Sequence, residues 1–165
     1  MPTCSKLGRE GLTEENGRRS IIIIIYAINL DHIGDIIEKG LLQQVTKKAS
    51  LSLKLSADGY EELKTLFDLT IDNLRIAQPI FVTRDFNLAR ELMVMKVEVR
   101  RMEKQSAKRH LERLRDGRAD SLQTSSLHLD VQRGLKRINA HIVSVAHPIL
   151  DESGLLIENR LRTAR

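Results

Sequence analysis

An all-α bundle is the fold class that this sequence predicts, and three observations carry it. Of the 165 residues only five are aromatic, Tyr26, Tyr60, Phe67, Phe81 and Phe86, and none is Trp, so the core must be aliphatic. Three prolines and nine glycines are too few for the turns of an all-β sandwich, while Leu, Ile, Glu, Lys and Arg dominate and favour long helices. Apolar residues also recur at helical spacing through most of the chain. The length suits one domain or two small ones. The single cysteine, Cys4, cannot close an internal disulfide, which points to a reducing compartment.

After a polar lead over 1–12, Thr13 with Glu14 and Glu15 forms a helix-start signal, since a Thr oxygen caps free backbone N–H groups and acids favour the positive dipole end. The spacing predicts a helix over 13–39 with Gly40 as its stop. Five consecutive isoleucines prefer a strand locally, but Ile22, Tyr26, Asn29, Leu30, Ile33, Ile36 and Ile37 fall on one helical side and no turn residue intervenes. Residues 51–55 read as a short extended connector. Ser56 and Asp58 open a second helix whose stripe of Leu63, Leu66, Phe67, Leu69, Ile71, Leu74 and Ala77 is amphipathic, with Pro79 kinking it near its end. Asp85 caps a third helix, where Leu88, Leu92, Met95, Val99 and Met102 are spaced four, three, four, three, as in a seam between nearly antiparallel helices. That helix ends around Asp116 and Gly117. A loop through Ser121 leads to a fourth helix, from Thr124–Ser126 to Ala146, which Pro148 stops; 151–165 reads as a tail.

A shift of 105 residues superposes two parts of the chain. Ser20 falls on Ser125, Ile22 on Leu127, Leu30 on Leu135, Ile33 on Ile138 and Ile37 on Ile142. The first and fourth helices are therefore candidate copies of one element.

Charge is localised. The net charge is +5, and between Lys96 and Arg118 nine basic residues face four acids, so this stretch carries the whole excess. Its basic face comprises Lys96, Arg100, Arg101, Lys104, Lys108, Arg109 and Arg113. No aromatic residue is interleaved for base stacking, which disfavours nucleic acid as a partner and leaves an acidic partner or an anionic membrane surface against the simpler reading of a solvated face. The most apolar run, Ile21 to Ile28, is eight residues long, whereas a spanning helix needs about 20; Met1 to Arg9 is not a signal peptide. The isolated chain is thus expected to be soluble, with no membrane-crossing segment.

On the first helix Asp31, Asp35 and Glu38 share one stripe at spacings of four and three. Oxygen ligands in that pattern suit Mg, Mn, Ca or Fe; the alternative is a solvated acidic face. Upstream on this side Ile21, Ile24, Ala27 and Ile28 are apolar, so both faces of the N-terminal half want cover, which marks these four residues for partner docking. His128, Asp130, His141 and His147 are poorly placed for ligation, and Ser125 and Ser126 read as helix-start residues. No phosphate-cradling glycine loop, CxxC or nucleophile triad occurs, and no feature supports an enzyme.

Leu30-Asp31-His32-Ile33-Gly34-Asp35-Ile36-Ile37-Glu38 resembles the "LERIGD" signature of PhoU proteins, bacterial regulators of phosphate uptake. His110 to Gly117, Ser125 to Asp130 and Leu135 to Asn139 are similar to the PhoU-like C-terminal domain of bacterial Na/Pi cotransporter family proteins. The resemblance implies a PhoU-like antiparallel bundle of two three-helix repeats, of which this chain would hold the last helix of the first (13–39) and a complete second (56–147). It implies a regulatory or accessory role in sodium-dependent phosphate transport, on the cytoplasmic side of the bacterial inner membrane. The implied partner is a transporter membrane domain; a second copy of the chain in a homodimer is the additional or alternative partner expected. It also implies a divalent or iron-type metal at E/D-xxx-D motifs: Asp31 and Asp35 preserve the first, whereas Lys136 and Ala140 replace the acids of the second. The competing expectation is a free-standing metal-binding helical dimer built on Asp31, Asp35 and Glu38.

Overall fold

The computed structural model describes residues 14–152, and among them every regular element is helical. In chain order these are α1 (Glu14–Ile36), a π-helical turn (Ile37–Leu41), α2 (Leu42–Ser50), α3 (Ala57–Thr83), α4 (Phe86–Arg115), α5 (Ala119–Gln123), α6 (Ser125–Val143) and α7 (Ala146–Glu152). The helix start expected at Thr13 and most of the tail lie outside the described residues. α3 and α4 form a hairpin, α6 lies against both, and α1 packs on the remaining side of α6.

Local chemistry fixes most boundaries as expected. Ser56 Oγ accepts from the Gly59 N–H at 3.1 Å and caps α3. Asp85 accepts from the Leu88 N–H at 2.9 Å and caps α4. Each such cap contributes about 1 kcal/mol. Between them Arg84 takes a left-handed conformation at φ 56°, which reverses the chain. Gly117, at φ 68°, ends α4 where a side chain would be strained.

Gly40 does not stop the first helix. The helical segment continues to Ser50, and the π turn is the reason it can. Ile36 is buried and Leu41 packs beside it, a spacing of five that an α-helix would rotate far off the contact face. One wide turn absorbs the extra residue and returns Leu41 and then Gln44 to α6. The continuous segment Arg19–Ser50 therefore is, by length and composition, long and apolar enough to cross a membrane, which corrects the expectation drawn from the eight-residue run; Asn29, Asp31 and Asp35 interrupt its hydrophobicity without interrupting its helix.

Two further boundaries differ. A short helix, α5, occupies the loop expected after Gly117. The fourth helix ends at Val143 and a new one begins at Ala146, so Pro148 sits in the first turn of α7, where a missing N–H costs nothing. Pro79 likewise lies inside α3, which runs on to Thr83.

The main core joins Ala77, Ile80, Ala89, Leu92, Ile138, Ile142, Val143, Ile149 and Leu150 with Ile36 of α1. A smaller cluster of Leu66, Val99 and Leu135 lies further along α3, α4 and α6. On the α4 seam Leu92 and Val99 are buried and Leu88 and Met102 pack against the clusters as expected, whereas Met93 rather than Met95 packs on the main core. Tyr26 stacks on Phe81 with ring centroids 4.3 Å apart. Inside the aliphatic core Asn73 of α3 donates to Asn139 of α6 at 2.6 Å, both side chains being buried.

Candidate functional site

The repeat and the packing together expose an asymmetry. On α6, Leu127, Leu135, Ile138 and Ile142 are all buried, because α3, α4 and α1 each take one side. On α1 their counterparts at a shift of 105 are Ile22, Leu30, Ile33 and Ile37. Of these only Ile33 joins the core, while Leu30 and Ile37 are 44% and 42% exposed. The four residues marked for docking are also exposed, with Ile21 and Ile24 at 58%. Ile23 and Ile25 extend the same apolar surface.

The acidic stripe is solvent-facing. Asp31, Asp35 and Glu38 are exposed, and Asp35 is engaged by Lys39 at 2.7 Å; the Lys39 ammonium beside it holds its carboxyl below the usual carboxylate range. Among the described residues no three His, Cys, Asp or Glu side chains are grouped to hold a metal ion. The implied motif is thus represented here by the two exposed carboxylates of Asp31 and Asp35 alone, the second of them paired with Lys39.

What the structure does bring to Asp35 is α6. A groove of about 500 Å³ runs between the π turn and α6, with His32, Asp35 and Lys39 on one wall and Arg133, Arg137 and His141 on the other. The helices close at its floor because Gly134 has no side chain: a Cβ there would meet Leu41 Cδ2 at 2.8 Å. The His32 and His141 rings lie 5.1 Å apart. Burial, then the charges of His32 and Arg137, push the His141 pKa down.

The basic face of α4 is smaller than its sequence. Arg100, Arg101, Lys104, Lys108 and Arg109 are exposed, whereas Lys96 is half-buried, and burial followed by the charge of Arg100 lowers its pKa. Arg113 leaves the face altogether, a correction to its predicted place. Its side chain is 8% exposed and makes a two-pronged bond to Glu62, both contacts 2.9 Å. Helical phase is the cause, since Arg113 lies seven residues after buried Ser106 and fourteen after Val99, on the inward side.

Around that pair lies a buried polar cluster. Ser106 donates to Glu62 at 2.8 Å, and the stacked rings of His110 and His128 have centroids 4.6 Å apart. Burial pushes Glu62 up, but the hydrogen bonds from Arg113 and Ser106 bring it below the usual carboxylate range. Burial, and then His110, push His128 down to about 4.

A model of the PhoU domain matches residues 63–149, more than half of the chain. The chain belongs to the PhoU family. The match runs from Leu63 within α3 through α7 up to Ile149, so two of the three helices that bury α6 lie inside it, and α1 with its apolar face precedes the matched region. The PhoU chain is 31% identical over 148 residues to the protein named "Putative inorganic phosphate export protein YjbB" of Escherichia coli O157:H7 and of Escherichia coli strain K12, and 32% identical to the protein of that name from Salmonella typhimurium. Each alignment covers 90% of this chain and 27% of the relative, so the chain spans about a quarter of the length of the curated relatives it matches. No solved structure matches it.

Sequence reasoning found the acidic stripe and the apolar face of this PhoU chain but missed the two histidine contacts and the Glu62–Arg113 pair. His32 and His141, or Glu62 and Arg113, are joined only by packing between helices far apart in sequence. The one available signal was that Arg113 shares the inward phase of Val99 on α4.

Proposed function

We propose that this PhoU chain is a non-enzymatic regulatory domain of a phosphate-transporting membrane protein, acting by protein docking through the apolar face of α1. The observation that carries the docking is the asymmetry between the two copies of the repeat. On α6 the repeated apolar positions lie beneath the α3–α4 hairpin; on α1 two of the four, Leu30 and Ile37, are left exposed. The favoured occupant is thus a pair of antiparallel helices resembling α3 and α4, and the extra length of the curated relatives supplies chain from which such a pair could come. The phosphate role rests on the family and on the name of those relatives.

A bilayer is a poorer occupant for α1. Asp31, Asp35, Glu38 and Lys39 crowd the middle of the segment Arg19–Ser50, where burial in hydrocarbon is costly, and its other side already packs on α6 through Ile33 and Ile36. The exposed cations of α4 suit anionic headgroups or an acidic partner surface at the rim of the same assembly.

Binding of an apolar fluorescent dye and light scattering on the eluting chain test the docking. The native chain is expected to bind dye or to self-associate as concentration rises. Replacing Ile24→Lys together with Ile28→Lys should abolish both while leaving helix content unchanged, because both residues are exposed. A native chain that stays monomeric and dye-silent overturns the reading.

A further inference from the structure

We propose that the groove between the π turn and α6 is a binding site for a protonated tetrahedral oxyanion, with hydrogen phosphate as its ligand. The choice of phosphate rests on the transport role above; the oxyanion chemistry rests on the groove alone.

The charges come first. Lys39 is paired with Asp35 at 2.7 Å and Arg133 with Asp130 at 3.1 Å, so these two acids and two bases cancel locally. Arg137, on the α6 wall between them, has no carboxylate partner among the described residues and is exposed. It is the uncompensated cation of the groove, with a planar fork of donors suited to an oxyanion.

The hydrogen-bond polarity of His141 then narrows the ligand. Asn29 donates through Nδ2 to the Ile25 carbonyl at 2.8 Å, which fixes its amide and leaves Oδ1 as the atom facing His141. Asn29 Oδ1 lies 2.8 Å from His141 Nδ1, and because an amide oxygen only accepts, Nδ1 must carry the proton. In the neutral ring Nε2 is therefore a lone-pair acceptor, on a side chain that lines the groove. A groove that offers both a guanidinium donor and an imidazole acceptor matches an anion carrying both a bare oxygen and a hydroxyl. Hydrogen phosphate has both at neutral pH, whereas sulfate has no hydroxyl to donate and leaves the imidazole unanswered. Asp35 opposes either anion by charge.

Titration calorimetry on the full chain at neutral pH, with chelator present, tests this with inorganic phosphate and with sulfate. Saturable binding of one phosphate is expected, with sulfate about tenfold weaker or more. Arg137→Gln should weaken phosphate about tenfold, Asp35→Asn should strengthen it, and His141→Phe should remove the preference for phosphate over sulfate. The exposed Arg137 and Asp35 variants should retain native helix content. Absence of phosphate binding up to about 10 mM, equal binding of the two anions, or indifference to Arg137→Gln overturns the site. So does binding that needs a metal or is lost in Asp35→Asn, because the anion would then be held through a cation. None of these substitutions touches Ile24 or Ile28, so a failed titration leaves the dye result intact, and a silent dye assay leaves the titration to stand by itself.

Discussion

Arg113→Met tests the buried cluster most directly. The variant keeps the length and apolar stem of the side chain but removes both 2.9 Å bonds to Glu62, and each partner's side chain is only 8% exposed. Breaking such a pair costs about 3–5 kcal/mol, because the surviving charge stays buried without its counterion. Glu62 would still accept from Ser106 at 2.8 Å, which places the expected loss near the lower end, about 3 kcal/mol. In a domain of this size that corresponds to a melting point lowered by roughly 6–12 °C. Urea denaturation at neutral pH, followed by helix signal, measures the loss for Arg113→Met, for Glu62→Leu and for the two combined. Since removing both charges leaves no orphan, the double variant should be less destabilised than the sum of the singles by about 2 kcal/mol or more. Strictly additive losses, or a single-variant loss under about 1 kcal/mol, would show that the pair is solvated in solution and would refute the reasoning.

Two other outcomes follow from the packing of His128 and Gly40. His128 is held at about 4 against an ordinary 6.5, so the unfolded chain takes up its proton first: the stability this neutral residue contributes is whole above pH 6.5 and is lost as pH falls towards 4, by up to about 3 kcal/mol; stability curves over that range should flatten in His128→Phe, and an unchanged slope would refute the assignment. Gly40→Ala should raise stability by about 0.5–1 kcal/mol, since a Cβ there meets only Ile36 Cγ2 at 4.0 Å within a continuous helix, and thermal melts showing a loss would mean that Gly40 does interrupt the segment.

What could be read in the sequence is what neighbours in the chain decide. Ser56, Asp85 and Gly117 end or begin helices through atoms three or four residues away, and each stands where the sequence placed it. Leu92 and Val99 reveal the α4 seam because helical phase is a local property. Gly40 misled because its intrinsic cost of about 1 kcal/mol is outweighed by the packing of Leu41 on a glycine of α6, 93 residues later in the chain. The candidate site divides in the same way: the exposed isoleucines were legible as a stripe without a polar side, whereas Arg137, His141 and Asn29 acquire chemistry only when α1 lies on α6. Arg113 was assigned to a surface by its charge and moved to the interior by its phase and by Glu62, 51 residues away.

The bond between Asn73 and Asn139 bears on which bundle forms at all. Leu, Ile, Val and Ala fill space without direction, so an interior made of them can be reassembled with one helix slid past another at little loss of contact. Sliding α6 by a single turn, about 5.4 Å, would pull the two amides apart and leave both without partners among aliphatic side chains, each costing about 1–3 kcal/mol. One polar contact of 2.6 Å thus acts as a vernier for the α3–α6 interface: it penalises the neighbouring alignments more than it strengthens the native one, and it holds α6 at the height where Gly134 meets Leu41.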